Sequence, residues 1–191
     1  MALMESAMPP IGAAAPEFSL PDAVTGKIVS LADFRGASAL LVMFLCRHCP
    51  FVKHIQDGIA SLARVYAARG AAIVAISSND AEEYPEDAPV SLREQAKECG
   101  FCFPYLYDET QEVARAFGAV CTPDIFLFDH ACRLAYRGQF DASRPGNGLP
   151  VTGQDLRQAM DRLLAGLPVA DAQKPSVGCA IKWRRAATSR L

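Results

Sequence analysis

Cys46 and Cys49 stand two residues apart within "LVMFLCRHCPFVKH", residues 41–54. Two thiols at that spacing can exchange electrons, hold a metal ion, or pack as small apolar residues. Their setting bears on which. "ALLVMFLC", Ala39 to Cys46, is a continuous apolar run, as expected of a strand covered on both faces. From Pro50 onward, Phe51, Ile55, Ile59, Leu62 and Tyr66 recur at three and four residues, which predicts a helix ended by Gly70. Cys46 therefore closes a strand, and Cys49 opens a helix. The first turn of a helix carries unpaired N–H groups and a partial positive charge, to which Arg47 and a protonated His48 would add. A thiolate is stabilised in such a place, so its pKa is expected to fall. A second thiol within reach can then resolve a mixed disulfide.

The chain holds a further pair, Cys99 and Cys102 in "ECGFCF". Two such pairs can build a zinc site, although their separation here is much longer than in a compact zinc ribbon. Cys99 falls at the C-terminal end of its own predicted helix, where the dipole disfavours a thiolate. Both are read as partly buried bystanders. His130 and Cys132, in "DHACR", read as turn and surface residues, and Asn79 in "SSND" as a turn former.

Around these residues the chain predicts a mixed α/β order. "EFSLPDAVTGKIVSLADFRG" reads as two short strands joined around Asp22 to Lys27. Ala71 to Ser77 is a second buried strand, Ser91 to Cys99 a short helix, and Glu109 to Phe117 another. "DIFLFD" and "LAYRGQF" flank a turn and form a hairpin. "TGQDLRQAMDRLLAG" is an amphipathic helix with Leu156, Met160, Leu163 and Leu164 on one face. This order implies one α/β layer sandwich around a mixed sheet.

Composition narrows the function classes. The chain has 191 residues, 51% of them apolar and 21% charged, enough for one domain with a sizeable core. A net charge of −2 and a pI of about 5.9 give no electrostatic footprint for nucleic acid. The basic stretch "IKWRRAATSRL" reads as a solvated tail. No apolar run approaches the roughly 18 residues a membrane-spanning helix needs. The N-terminus has no positive region and carries Glu5 early, unlike a secretory signal, so the expected location is cytoplasmic. Seven cysteines, an odd number, do not fit a secreted disulfide scaffold.

The motifs "FLCRHCPFVKH" and "GAVCTPDIFLFD", with the tail "QKPSVGCAIKW", resemble the thioredoxin superfamily, and most of all its bacterial redoxin, or AhpC/TSA-like, branch. The likeness runs from about Ala15 to Trp183. It implies a thioredoxin-like three-layer sandwich with a central mixed sheet and an N-terminal β-hairpin extension. Residues 1–14 would be a loose lead-in, 15–166 the domain and 167–191 a C-terminal tail. It implies thiol–disulfide exchange, with Cys46 attacking, Cys49 resolving, and Pro123 in cis. Arg47, His48, Thr122 and Pro123 would contact the substrate, the Thr122 backbone taking it up as a short strand. No bound cofactor and no metal are implied. The partners would be a disulfide-bearing protein or small molecule and an external thiol reductant.

The chain departs from its relatives at several positions. Leu45 replaces the tryptophan that thioredoxins carry before the first cysteine, and Leu40 falls where they place a buried acid. Lys53 and His54 are weak substitutes for that missing base. Peroxidase members place threonine three residues before their reactive cysteine, and Met43 occupies that position here. A thiol-dependent peroxidase acting through Cys46 and a metal-binding module built from the cysteine pairs stay as alternatives. Cys121, two residues before Pro123, is either a third exchange partner or a packed side chain. Cys179, on a tail bounded by Pro175 and Gly178, is either an additional resolving thiol or a residue with no role.

Overall fold

A computed structural model describes residues 3–185. In chain order the elements are β1 (Leu3–Glu5), β2 (Ser19–Pro21), β3 (Ile28–Ser30), β4 (Ala39–Phe44), α1 (Pro50–Ala67), β5 (Ala71–Ser77) and α2 (Pro89–Cys99). There follow β6 (Tyr105–Tyr107), α3 (Glu112–Phe117), β7 (Cys121–Thr122), β8 (Asp124–Asp129), β9 (Leu134–Arg137), α4 (Gln154–Leu164) and β10 (Val177–Ala180).

β4 organises the molecule. All six of its residues are buried, so both faces of the sheet it belongs to must be covered. Side chains alternate across a strand, and the two faces meet different partners. Leu41 and Met43 pack with Val52, Ile55, Ile59 and Leu62 of α1, Leu92 of α2, and Leu156 and Met160 of α4. Leu40, Val42 and Phe44 pack on the other side with Phe18, Leu31, Val113 and Phe117. Each large aliphatic side chain removed from water in these layers is worth about 1.5–3 kcal/mol. The sheet runs β6-β5-β4-β8-β9, parallel from β6 to β4 and antiparallel through β8 and β9. The β2–β3 hairpin stands apart as a two-stranded sheet, tied to β6 by the Asp22 carboxylate, which accepts the Tyr105 N–H. The expected three-layer sandwich with its hairpin extension is what is found.

The helix predicted from Glu109 begins only at Glu112. The Asp108 carboxylate accepts the Val113 and Ala114 amides, and Gln111 turns into the left-handed region at φ 63°. Residues 108–111 thus form the capping turn rather than the helix.

Both chain ends differ from expectation. β1, inside the lead-in expected to be loose, pairs antiparallel with β10, inside the expected tail. β10 in turn pairs with β7, the two residues before Pro123. The basic stretch is also held. The Lys182 amide donates to Asn79 Oδ1, Arg115 stacks on Trp183, and Arg184 pairs with Asp80, Glu82 and Glu109. Residues 186–191 of that stretch lie outside the described residues.

Candidate active site

The edge where β4 ends and α1 begins carries the two cysteines. Pro50 takes the first helical position, where its missing N–H costs nothing, and Cys49 is the residue that caps the helix. Opposite stands Thr122, followed by a cis peptide bond to Pro123. Cys46 Sγ lies 3.2 Å from the Thr122 hydroxyl, and Cys49 Sγ lies 3.1 Å from the Thr122 carbonyl oxygen. Both cysteines are fully buried, and no disulfide joins them.

Burial pushes the Cys46 thiol well above the ordinary value, helped by its hydrogen bond to Cys49 and by the nearby Asp87 carboxylate. Cys49 is pulled down to about 5, first by the Cys46 thiol and then, against burial, by the Cys179 thiol and the Val52 amide. That amide faces the sulfur without closing a cap hydrogen bond. The Thr122 carbonyl opposes the charge, since it can only accept from a protonated Cys49. Several donors thus lower Cys49 against that one acceptor, while Cys46 is raised, so the pair as a whole holds one easily ionised thiol. The sequence reading expects such a thiol at this turn.

Arg47 and His48 are arranged by one buried acid. Asp87 accepts the Arg47 and His48 amides and stands 2.5 Å from His48 Nδ1. Burial works to raise its pKa, but hydrogen bonds from His48 and Asn79 outweigh this and hold it below the ordinary carboxylate value. The Arg47 guanidinium turns away to α2, binding Glu94, Glu98 and the Ser91 carbonyl. It contributes to position, not to charge beside the sulfurs. The His48 ring stacks on Tyr84 at 5.5 Å, and Lys182 lies over the far ring at 5.7 Å. Asn79, read from sequence as a turn former, joins the Asp87 carboxylate to the Lys182 amide. Asp87, which the sequence reading did not single out, reaches the site from a short 3-10 turn at Pro85–Asp87. Nothing in a polar loop between prolines marks that residue in advance.

The other expected residues sort clearly. His54 hydrogen-bonds Ser143 at 2.7 Å, beside a shallow cleft that also borders Phe51, Pro123 and Phe140. Lys53 is exposed. Cys121 faces Ser6 and Asp124, and burial followed by the Asp124 charge raises its pKa steeply. It is buried. Cys179 lies opposite Thr122 in register, is buried, and reaches Cys49. The Thr122 edge expected to receive a substrate strand is therefore covered by β10. Among the described residues, the one group able to offer three metal ligands is Cys46, His48 and Asp87, with donor atoms within 4.8 Å. Cys99, half-buried, and Cys102, exposed, are not part of it.

No helix among the described residues is long and apolar enough to cross a membrane. No curated protein matches the chain. Solved structures do. An uncharacterised conserved protein from Geobacillus kaustophilus is 52% identical with a TM-score of 0.96, covering 98% of this chain and 99% of its own. A hypothetical protein from Sinorhizobium meliloti is 48% identical with a TM-score of 0.93, covering 95% and 99%. The thioredoxin domain of a thiol-disulfide oxidoreductase from Bacteroides vulgatus shares the fold at 21% identity and a TM-score of 0.57, covering 68% and 89%. The model of the AhpC/TSA family matches residues 11–137, more than half of the sequence. The chain belongs to the AhpC/TSA family, the thioredoxin-like redoxins.

Proposed function

We propose that the protein is a thiol–disulfide oxidoreductase that cycles Cys46 and Cys49 between dithiol and disulfide. The observation that supports this most is the placement of both sulfurs against Thr122, Cys46 3.2 Å from its hydroxyl and Cys49 3.1 Å from its carbonyl oxygen. Cys46 attacks a substrate sulfur as its proton passes along the hydrogen bond to Cys49. A mixed disulfide forms at Cys46 as the substrate's S–S bond breaks, and the leaving substrate sulfur takes the proton from Cys49 and departs as a thiol. Cys49, returned to its anion, then attacks Cys46 Sγ, closes the internal disulfide and releases the second substrate sulfur. An external thiol reductant restores the dithiol. The Thr122 hydroxyl stabilises charge on Cys46, and Asp87 fixes the turn through the two amides it accepts. The substrate is a disulfide-bearing protein or small molecule. The setting is the cytoplasm, where reduced thiols persist.

One contact favours peroxide reduction as the second reading. The Thr122 hydroxyl reaches Cys46 from β7, although Met43 fills the position three residues before the cysteine and is buried in the core. Rates with a protein disulfide, such as that of insulin, and with hydrogen peroxide separate the two. The oxidoreductase reading expects turnover of the disulfide and a slow, thiol-like reaction with peroxide. Fast peroxide consumption with no disulfide turnover overturns it.

A further inference from the structure

The backbone edge beside Pro123 is already occupied. β10 runs antiparallel along β7, with Cys179 opposite Thr122 and Ala180 opposite Cys121. Contact is close enough to require glycine at the neighbouring position, since a Cβ on Gly178 would stand 2.0 Å from the Thr122 carbonyl oxygen. Residues opposite one another on paired strands present their side chains to the same face. Thr122 reaches Cys46 through its hydroxyl, and Cys179 on the same face reaches Cys49. Cys49 thus lies between two thiols, one from the strand end and one from β10. The chain has laid its own strand, bearing its own cysteine, where an extended substrate would pair.

We infer that Cys179 is a third exchange thiol of this site, forming a Cys49–Cys179 disulfide that returns Cys46 as a free thiol in the oxidised protein. The inference rests on the exchange proposed above. Starting from the Cys46–Cys49 disulfide, the Cys179 sulfur attacks Cys49 Sγ. The Cys49–Cys179 bond forms and the Cys46–Cys49 bond breaks. Cys46 leaves with the bonding electron pair and takes up the proton that Cys179 gives off. One disulfide and one thiol stand on each side, so no oxidant or reductant is consumed.

In the reduced chain Cys179 stays protonated. Burial first, then its hydrogen bond to the Cys49 sulfur, pushes its pKa up to about 12, while Lys182 works to lower it. Cys179 has a disulfide to attack only once Cys46 and Cys49 are bridged, so the relay opens after oxidation. Its product is an oxidised chain whose Cys46 can enter a mixed disulfide with a second thiol-bearing molecule, while the oxidising equivalent waits on β10. The reductant that closes the cycle must then reach Cys49–Cys179.

The test oxidises the full-length Cys46→Ser protein with diamide, blocks free thiols with iodoacetamide and maps peptides by mass spectrometry. A linked Cys49–Cys179 peptide is expected, and it should vanish in the Cys46→Ser, Cys179→Ser double variant. Recovery of Cys49 and Cys179 both alkylated in a folded Cys46→Ser protein overturns the inference. Should that variant not fold, oxidised wild type gives the answer. Cys46 is expected to be labelled in wild type and protected in Cys179→Ser, and equal protection in the two overturns the relay. Cys179→Ser also separates this inference from the reading beneath it. A Cys46–Cys49 bridge that forms there without any Cys49–Cys179 bridge in Cys46→Ser removes only the relay. Failure of Cys46 and Cys49 to bridge in either protein removes the exchange reading itself.

Discussion

The chain contains the same spacing twice, with opposite surroundings. Cys46 and Cys49 lie where a buried strand runs into the N-terminus of an 18-residue helix. Cys99 is the last residue of α2, and Cys102 follows in the turn beyond Gly100. At the first pair a sulfur is pulled down to about 5 by donors gathered around it. At the second, burial raises the Cys99 thiol, and the negative charges of Asp57 and Glu98 raise it further. Two cysteines two residues apart acquire chemistry from the helix end they meet and the strand they face, not from the spacing.

The sharpest way to break this contrast is to replace each sulfur with oxygen. Cys46→Ser and Cys49→Ser are each expected to lower disulfide turnover by roughly 10³-fold or more, as loss of a nucleophile does. Cys99→Ser and Cys102→Ser should stay within about twofold of wild type, as substitutions that touch no reacting atom do. A comparable loss at Cys99, measured as turnover of a protein disulfide, ends the distinction between the pairs.

The next effect separates them by what covers them. The first pair is roofed by β10, and the second has no such strand. Gly178→Ala drives a Cβ into the Thr122 carbonyl, and both groups are backbone, so neither yields cheaply. A loss of about 3 kcal/mol in urea unfolding is expected, at the upper end for an overpacked site. Gly100→Ala, beside the second pair, has only the tip of the flexible Arg64 side chain near its Cβ, at 3.8 Å. Its cost comes from the backbone alone, which stands at φ 65°, and should be about 1 kcal/mol. Equal losses at the two glycines show that β10 does not press on Thr122.

How much of this was legible follows from the range of the interactions. β4, α1 and β5 declare themselves through a continuous apolar run and a three-and-four periodicity, both local signals. The junction holding Cys46 and Cys49 is therefore readable, and so is the hairpin of β8 and β9. Asp87 is not, because its meaning depends on amides 39 and 40 residues away. β1 and β10 are three and four residues long, and each finds its partner at the far end of the chain. No periodicity can show in strands so short, so the ends read as loose. Which of the two sulfurs is lowered is not legible either, because the sequence places a helix N-terminus near both cysteines but does not tell which sulfur the amides and thiols converge on.

A smaller change sharpens the electrostatic side of the comparison. Asp87→Asn removes the negative charge that helps raise Cys46, leaving the fold's hydrogen bonds to Arg47 and His48 partly satisfied. The Cys46 thiol is expected to become more acidic and the protein to lose about 1–2 kcal/mol, as when a buried bond to a charged group is weakened. Cys99, whose raised value owes nothing to Asp87, should titrate as before. A Cys46 that grows no more acidic, followed by its alkylation rate against pH, removes Asp87 from the site.

The smallest effect is read without any substitution. Thiolate absorbance of the reduced protein should rise by one thiolate per chain in a step near pH 5, the value of Cys49, well before an ordinary cysteine at 9.0 ionises. The sign follows from linkage. Cys49 is more acidic folded than unfolded, so its charge stabilises the reduced fold fully above about pH 9 and the contribution fades as the pH falls towards 5. Cys46, raised by the same hydrogen bond, works in the opposite sense and is favoured protonated across that window. The step should persist in Cys99→Ser and disappear in Cys49→Ser. In Cys46→Ala it should move up, because the largest single cause of the lowering, the hydrogen bond from Cys46, is gone. A first thiolate that appears only near 9.0 in the wild type means that neither sulfur is held as an anion, and the two pairs would then differ in position but not in chemistry.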